Sequence, residues 1–359
     1  MAFWRRYLKF MIMVLFLLAT YLTTGCGLQQ MLDGFWNGSA VHDNDDNEEE
    51  RPFLLPKDEG EQDYDNEELR WSRIYYLDKE GRFLMPTTVG IPWTEGIARA
   101  AVEHLVASPV REVILSQYDL LAPLPEGTTI RGLTINDGLA SIDFNASFID
   151  YPLENEEHVL SSVILTLAEF STVERVKILV EGIELPEFPG GTPGEEVFGP
   201  NFWINLEVDE RVEDYHNTST VLLYFCYPLS RGDIFYVPVT RVIPSEENLL
   251  QAAIEELLKG PRQSSLFSEI PPQTTLLGLS KEENFLVLNF SAGFLSYDGG
   301  KTGEENIVNQ LTLTLTSHPE IEAVKILIEG EERVLKGTSL AELLRAPEKY
   351  NCLPVFDYF

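Results

Sequence analysis

Apolar residues recur along this chain in a helical spacing and in strand-like runs, and each pattern occurs twice. Ala98, Ala101, Val102 and Leu105 fall at i, i+3, i+4 and i+7, on one face of a helix. Shifted by 152 positions, the pattern reappears as Leu250, Ala253, Ile254 and Leu257. The shift runs without a gap over 83–109 and 235–261, with identities at Phe83/Phe235, Pro86/Pro238, Pro92/Pro244, Ala101/Ala253, Leu105/Leu257 and Pro109/Pro261. Farther on, 124–133 and 142–148 pair with 270–279 and 288–294 at an offset of 146, and 173–182 pairs with 321–330 at 148. A period near 150 residues is far longer than a solenoid unit, so the pattern predicts two complete homologous domains.

One copy resolves what the other leaves ambiguous. Leu311, Leu313 and Leu315 alternate with threonine as in a strand, but the first copy shows Val159, Val163 and Leu167 spaced four apart, which map onto Ile307, Leu311 and Leu315. A second helix satisfies both copies. β-branched and aromatic runs predict strands at 73–77, 83–91, 129–135, 139–144 and 175–181, with equivalents in the second copy. Asn136-Asp137-Gly138 marks a hairpin turn. Each unit therefore reads ββαββαβ. The fold class is α+β: two homologous domains, each a small mixed β-sheet with two helices packed on one face.

The expected boundaries are a leader over 1–25, an acidic tether over 26–70, a first domain over 71–183, a linker over 184–218, a second domain over 219–335 and a tail over 336–359. Pro186, Pro189, Gly190, Gly191, Pro193 and Gly194 end the first domain, because they can continue neither a helix nor a central strand. The later linker segment 197–208 is too apolar to hang free and is expected to lie against a domain as an extra strand. In the tail, Ser339 is expected to cap a short helix through Arg345, and Phe356, Tyr358 and Phe359 to pack back onto the fold.

Composition and charge narrow the function. An apolar fraction of 44% over 359 residues can build real cores. The 58 acidic and 26 basic residues give a formal charge of -32, which repels a phosphate backbone and excludes nucleic acid as a partner. Residues 43–68 alone hold thirteen acids against Arg51 and Lys57, a segment expected to be disordered. A flexible chain from Cys26 to Trp71 would reach roughly 35 to 40 Å.

The N-terminus has the three parts of an export signal: Arg5, Arg6 and Lys9, then an apolar run over 10–18, then Thr23, Thr24 and Gly25. Leu22-Thr23-Thr24-Gly25-Cys26 resembles the bacterial lipobox, although the leucine stands four rather than three places before the cysteine. That resemblance implies lipidation of Cys26 and anchoring at the extracytoplasmic face of the cell membrane. The alternative, an uncleaved membrane helix, also places the remainder outside.

The ordered elements Leu257-Leu258-Lys259-Gly260-Pro261, Ile270-Pro271 with Thr274, Asn289-Phe290-Ser291, Thr312-Leu313-Thr314 and Ile328-Glu329-Gly330 resemble the GerM domain. Two such domains behind a lipobox look like the GerM sporulation and germination lipoproteins of spore-forming bacteria. The resemblance covers about residues 71–335, and the first copy departs from it with Ser108-Pro109. It implies a non-catalytic part in an envelope assembly, with envelope proteins as partners and domains similar to the ring-building modules of secretion-type complexes.

The chemistry in the sequence agrees with that implication. His42, His104, His158, His216 and His318 stand singly, with no zinc spacing, so no metal site is expected. There is no nucleophile elbow and no phosphate-cradling loop, so neither catalysis nor a small-molecule cofactor is expected. Glu255 and Glu256 read as a polar helix face, and Arg231-Gly232-Asp233 as a turn. Asp43-Asn44-Asp45 begins like a calcium loop, but Glu48 and Leu54 occupy its glycine and glutamate positions. Cys226 and Cys352 are compatible with a disulfide or with two buried thiols. Trp71, Trp93 and Trp203 leave a peptidoglycan- or carbohydrate-binding module as an alternative, and a solute-binding lipoprotein is another.

Overall fold

The computed structural model describes residues 69–199, 203–335, 337–340 and 342–354. The leader, Cys26, the incipient calcium loop, nearly all of the tether, and Phe356, Tyr358 and Phe359 lie outside the described residues. Both repeats fall within one compact unit, Asp63–Phe359.

The first repeat contains β1 (Leu69–Asp78), β2 (Leu84–Pro92), α1 (Ile97–Glu103), α2 (Pro109–Ser116), β3 (Leu120–Leu121), β4 (Ile130–Asn136), β5 (Leu139–Phe144), α3 (Glu156–Ala168) and β6 (Arg175–Val180). A linker strand, β7 (Glu207–Val208), precedes the second repeat: β8 (Thr218–Pro228), β9 (Ile234–Pro244), α4 (Leu249–Leu258), β10 (Leu276–Glu282), β11 (Phe285–Phe290), α5 (Gly300–Thr316) and β12 (Ala323–Ile328). Each repeat pairs an antiparallel hairpin, β1-β2 or β8-β9, with a mixed ladder, β4-β5-β6 or β10-β11-β12, whose last two strands are parallel. The parallel pair requires a crossover, which α3 and α5 supply.

The expected ββαββαβ order is present in both repeats, and the Leu/Thr alternation near 311 lies in α5. Its threonines work inside the fold: Thr314 Oγ1 accepts from Tyr224 N at 3.0 Å, as Thr166 Oγ1 does from Tyr75 N at 3.2 Å. Asp137 and Gly138 both have positive φ, as the tight hairpin predicted between β4 and β5 needs.

Several expectations need correction. The first repeat has an additional helix, α2, because Ser108 Oγ accepts from Arg111 N at 3.2 Å and Pro109 sits in the first turn. At the equivalent place the second repeat has Gly260 at positive φ, just past the end of α4. No helix runs from Ser339 to Arg345; Ser339 instead bridges to Val334 and Leu344 to Val324, and this backbone pairing replaces the cap. The linker does lie on the fold: Phe198 bridges to Val176, and β7 pairs in parallel with β9.

One continuous apolar core runs through both repeats, with Leu105, Ile142 and Phe144 in the first and Leu257, Leu288 and Phe290 in the second. The second also encloses an ionic network. Arg241, 1% exposed, places all its N–H groups: Nε and Nη2 on Glu207 Oε2 at 3.0 and 2.6 Å, Nη1 on Glu256 O and Oε2 at 2.9 and 3.2 Å, and Nη2 on Gly260 O at 2.9 Å. Glu256 is therefore buried rather than part of a polar helix face, since it is a counter-ion of Arg241. Repeat equivalence puts Val89, His104 and Leu353 where the second half has Arg241, Glu256 and Glu207. The first repeat solves the same site with a neutral core, and burial, assisted by Arg111, pushes the His104 pKa down to about 3.

Candidate interaction surface at the junction of the repeats

Pro86 and Pro238 interrupt two buried strands, and their placement explains how the repeats meet. A proline supplies no N–H, so within a sheet it belongs where that group would point away from the ladder. On β2 the outward positions are Leu84, Pro86 and Thr88; on β9 they are Tyr236, Pro238 and Thr240. Asn205 Oδ1 accepts from Leu84 N at 2.8 Å, while its Nδ2 donates to Leu84 O at 2.9 Å and across the junction to Pro238 O at 2.8 Å. Asn351 repeats the arrangement with the halves exchanged. Its Oδ1 accepts from Tyr236 N at 2.8 Å, and its Nδ2 donates to Tyr236 O at 2.8 Å and to Pro86 O at 2.7 Å. Both asparagines have positive φ, 50° and 52°, a conformation that asparagine tolerates better than most residues. The junction is thus a pseudo-twofold clasp.

Two small apolar clusters flank it and correspond residue by residue. Tyr75, Leu77, Leu84, Leu165 and Ile204 form one, with Leu222 of the second repeat packed on it. Cys226, Tyr236, Leu313 and Tyr350 belong to the other. The hairpin tip of the second repeat also docks on the first, where Ser230 Oγ donates to Asp119 Oδ1 at 2.8 Å. Burial disfavours the Asp119 charge, but bonds from Ser230 N–H, Ser230 Oγ and Lys79 outweigh that and lower its pKa.

The same symmetry produces two clefts with different contents. The first, about 310 Å³, contains Trp71, Arg73, Thr88, Glu169, Phe170 and Lys349. It is filled with charge: Arg73 Nη1 lies 3.1 Å from both Glu169 oxygens, and Tyr75 Oη donates to Glu169 at 2.6 Å. Lys349 Nζ sits 4.0 Å from the centre of the Trp71 ring. In the second, about 700 Å³, Thr220, Leu222, Thr240, Ser317, His318 and Trp203 take the corresponding places, and Tyr75 and Leu165 enter from the first repeat. Leucine in place of arginine and serine in place of glutamate leave this cleft open.

The residues singled out in the sequence do not converge. Trp93 and Trp203 are exposed, whereas Trp71 lies under Lys349. His104 is buried at the end of α1, His158 lies in α3, His216 is exposed, and His318 lines the open cleft. Cys226 and Cys352 are unpaired thiols, and burial pushes the Cys226 pKa up. Arg231-Gly232-Asp233 forms the expected turn, with Arg231 Nε 2.6 Å from Asp233 Oδ2. Among the described residues no group of three or more His, Cys, Asp or Glu could hold a metal ion, and no helix is long and apolar enough to cross a membrane. Sequence reading missed Asn205, Asn351 and the clefts. The signal it could have used was the mid-strand proline duplicated at 86 and 238.

Comparison with known proteins accords with this geometry. The family model described as "Germane: Sporulation and spore germination" matches residues 73–186 and 222–334. The spore germination protein GerM of Bacillus subtilis is 32% identical over 287 residues, covering 77% of each chain. The solved tandem GerMN domains of the sporulation protein GerM from Bacillus subtilis superpose with a TM-score of 0.69 at 29% identity, covering 79% of this chain and 99% of that one.

Proposed function

Since the chain belongs to the Germane family of sporulation and spore germination proteins, we propose that it is a lipid-anchored, non-catalytic module that binds envelope proteins during sporulation or germination. The observation that carries this reading is the clasp. Asn205 and Asn351 join two copies of one unit in a fixed relation, so two related surfaces are presented together rather than on a loose string. When linked surfaces engage linked sites, the second contact is intramolecular and avidity can rise by about 10²–10⁴. Each contact can then be weak by itself.

The leader and the lipobox resemblance support an anchor at Cys26, with the repeats at the extracytoplasmic face of the membrane. A Cys26→Ser variant should accumulate at precursor size, with its acylation lost, as followed by fractionation and labelled fatty-acid incorporation. A mature-size product still in the membrane would refute the assignment. Co-purification of the intact chain from the native envelope tests the binding role. A specific protein partner is expected; retention of peptidoglycan or a solute with no protein partner would instead favour the carbohydrate- or solute-binding reading, for which exposed Trp93 and Trp203 are the relevant side chains.

A further inference from the structure

The open cleft runs along a strand edge whose hydrogen bonds are only partly used. On β8, Tyr224 and Cys226 turn their backbone groups away from β9. Tyr224 N donates to Thr314 Oγ1, Tyr224 O accepts from Gln310 Nε2, and Cys226 exchanges both of its bonds with Phe267. The alternation of an antiparallel ladder points Thr220 and Leu222 the same way. The described residues make no hydrogen bond to the outward N–H and C=O of either. The groove beside them continues the apolar cluster of the junction, through Leu222, Tyr75 and Leu165, and is walled by Trp203 at 54% exposure. His318 Nε2, also on this wall, is buried without a hydrogen-bond partner among the described residues.

We propose that an extended segment of a partner protein binds here by adding a strand to the edge of β8. Main-chain bonds to Thr220 and Leu222 would hold it, and apolar side chains at alternate positions would seat against Trp203, Leu222 and Tyr75. The excess of 58 acidic over 26 basic residues favours a segment with lysine or arginine at the intervening positions. The equivalent edge of β1 is closed: Arg73 and Glu169 fill its groove and Lys349 covers Trp71. Duplication has thus left one receptive edge and one sealed edge. The proposal rests on reading the repeats as partner-binding modules and names the place and the chemistry.

The test uses the full-length protein and a fluorescent hexapeptide of alternating valine and lysine. Saturable binding is expected, weakened at least tenfold by Thr220→Pro and changed less than twofold by Thr220→Val. Proline removes only an N–H that points off the ladder, a change that edge strands accept. A second measurement needs no variant: amide exchange at Thr220 and Leu222 should slow at least tenfold when the peptide is bound to the unaltered protein. Absence of saturable binding, equal binding by the proline variant, or unprotected amides at these positions would overturn the proposal. In the envelope co-purification, partners retained equally by Thr220→Pro would overturn the groove but keep the binding role, whereas no protein partner with either form would end both.

Discussion

Arg241 shows how far a single position can diverge between two copies of one fold. Its guanidinium is paired on every N–H, and Glu207 and Glu256 are buried with it. Replacing a buried network by apolar groups can be neutral, but removing one partner strands the rest. Arg241→Met should therefore cost about 3–5 kcal/mol, read as a lower urea midpoint. Beside the network, side-chain bonds from Arg211, with further help from Arg262, hold the Asp209 pKa down to about 2. A folded pKa below the ordinary 3.8 means stability that is present above about pH 4 and lost as pH falls toward 2. The contribution is on the order of 2 kcal/mol. Asp209→Asn should flatten the stability profile across that window, measured by denaturation at successive pH values. None of this was legible in the sequence, because Glu256 next to Glu255 reads as a solvated pair until Arg241 is seen beneath it.

At the scale of elements, the duplicated pattern made helices and strands readable. Where the copies agreed, the reading held, as for α1 with α4 and α3 with α5. Where they differed, local chemistry decided. Ser108-Pro109 begins a helix and Gly260-Pro261 ends one, although the two pairs differ at a single residue. The failed expectation at Ser339 had a capping residue and leucines at 340, 343 and 344 in helical spacing, yet the segment pairs its backbone with Val334 and Val324 instead. The mid-strand prolines were visible as identities, but their purpose needed the neighbouring edge. Pro86→Ala should add an N–H to a buried seam whose carbonyls at Pro86 and Pro238 already accept from Asn351 and Asn205, costing about 1–3 kcal/mol by thermal or chemical unfolding. The equivalent change at Pro238 should behave alike.

For the whole molecule, the clasp makes the halves interdependent. Asn205→Ala and Asn351→Ala should each cost on the order of 3 kcal/mol, because each leaves two carbonyls and one N–H without partners. Both act on one junction, so the double variant should fall short of the sum; full additivity in a double-mutant cycle would show that the two asparagines fasten the junction without coupling to each other. The clasp also has a consequence for the making of the protein. The bond from Asn351 to Pro86 joins residues 265 positions apart, so a growing or exported chain can form it only after every strand of both repeats has been made. Until Asn351 has cleared the ribosome or the translocation channel, both outer strand edges lack half of their fastening. Loop closure over such a span is slow. A stalled nascent chain with Asn351 still inside the ribosome should be more open to protease than one in which Asn351 has just emerged.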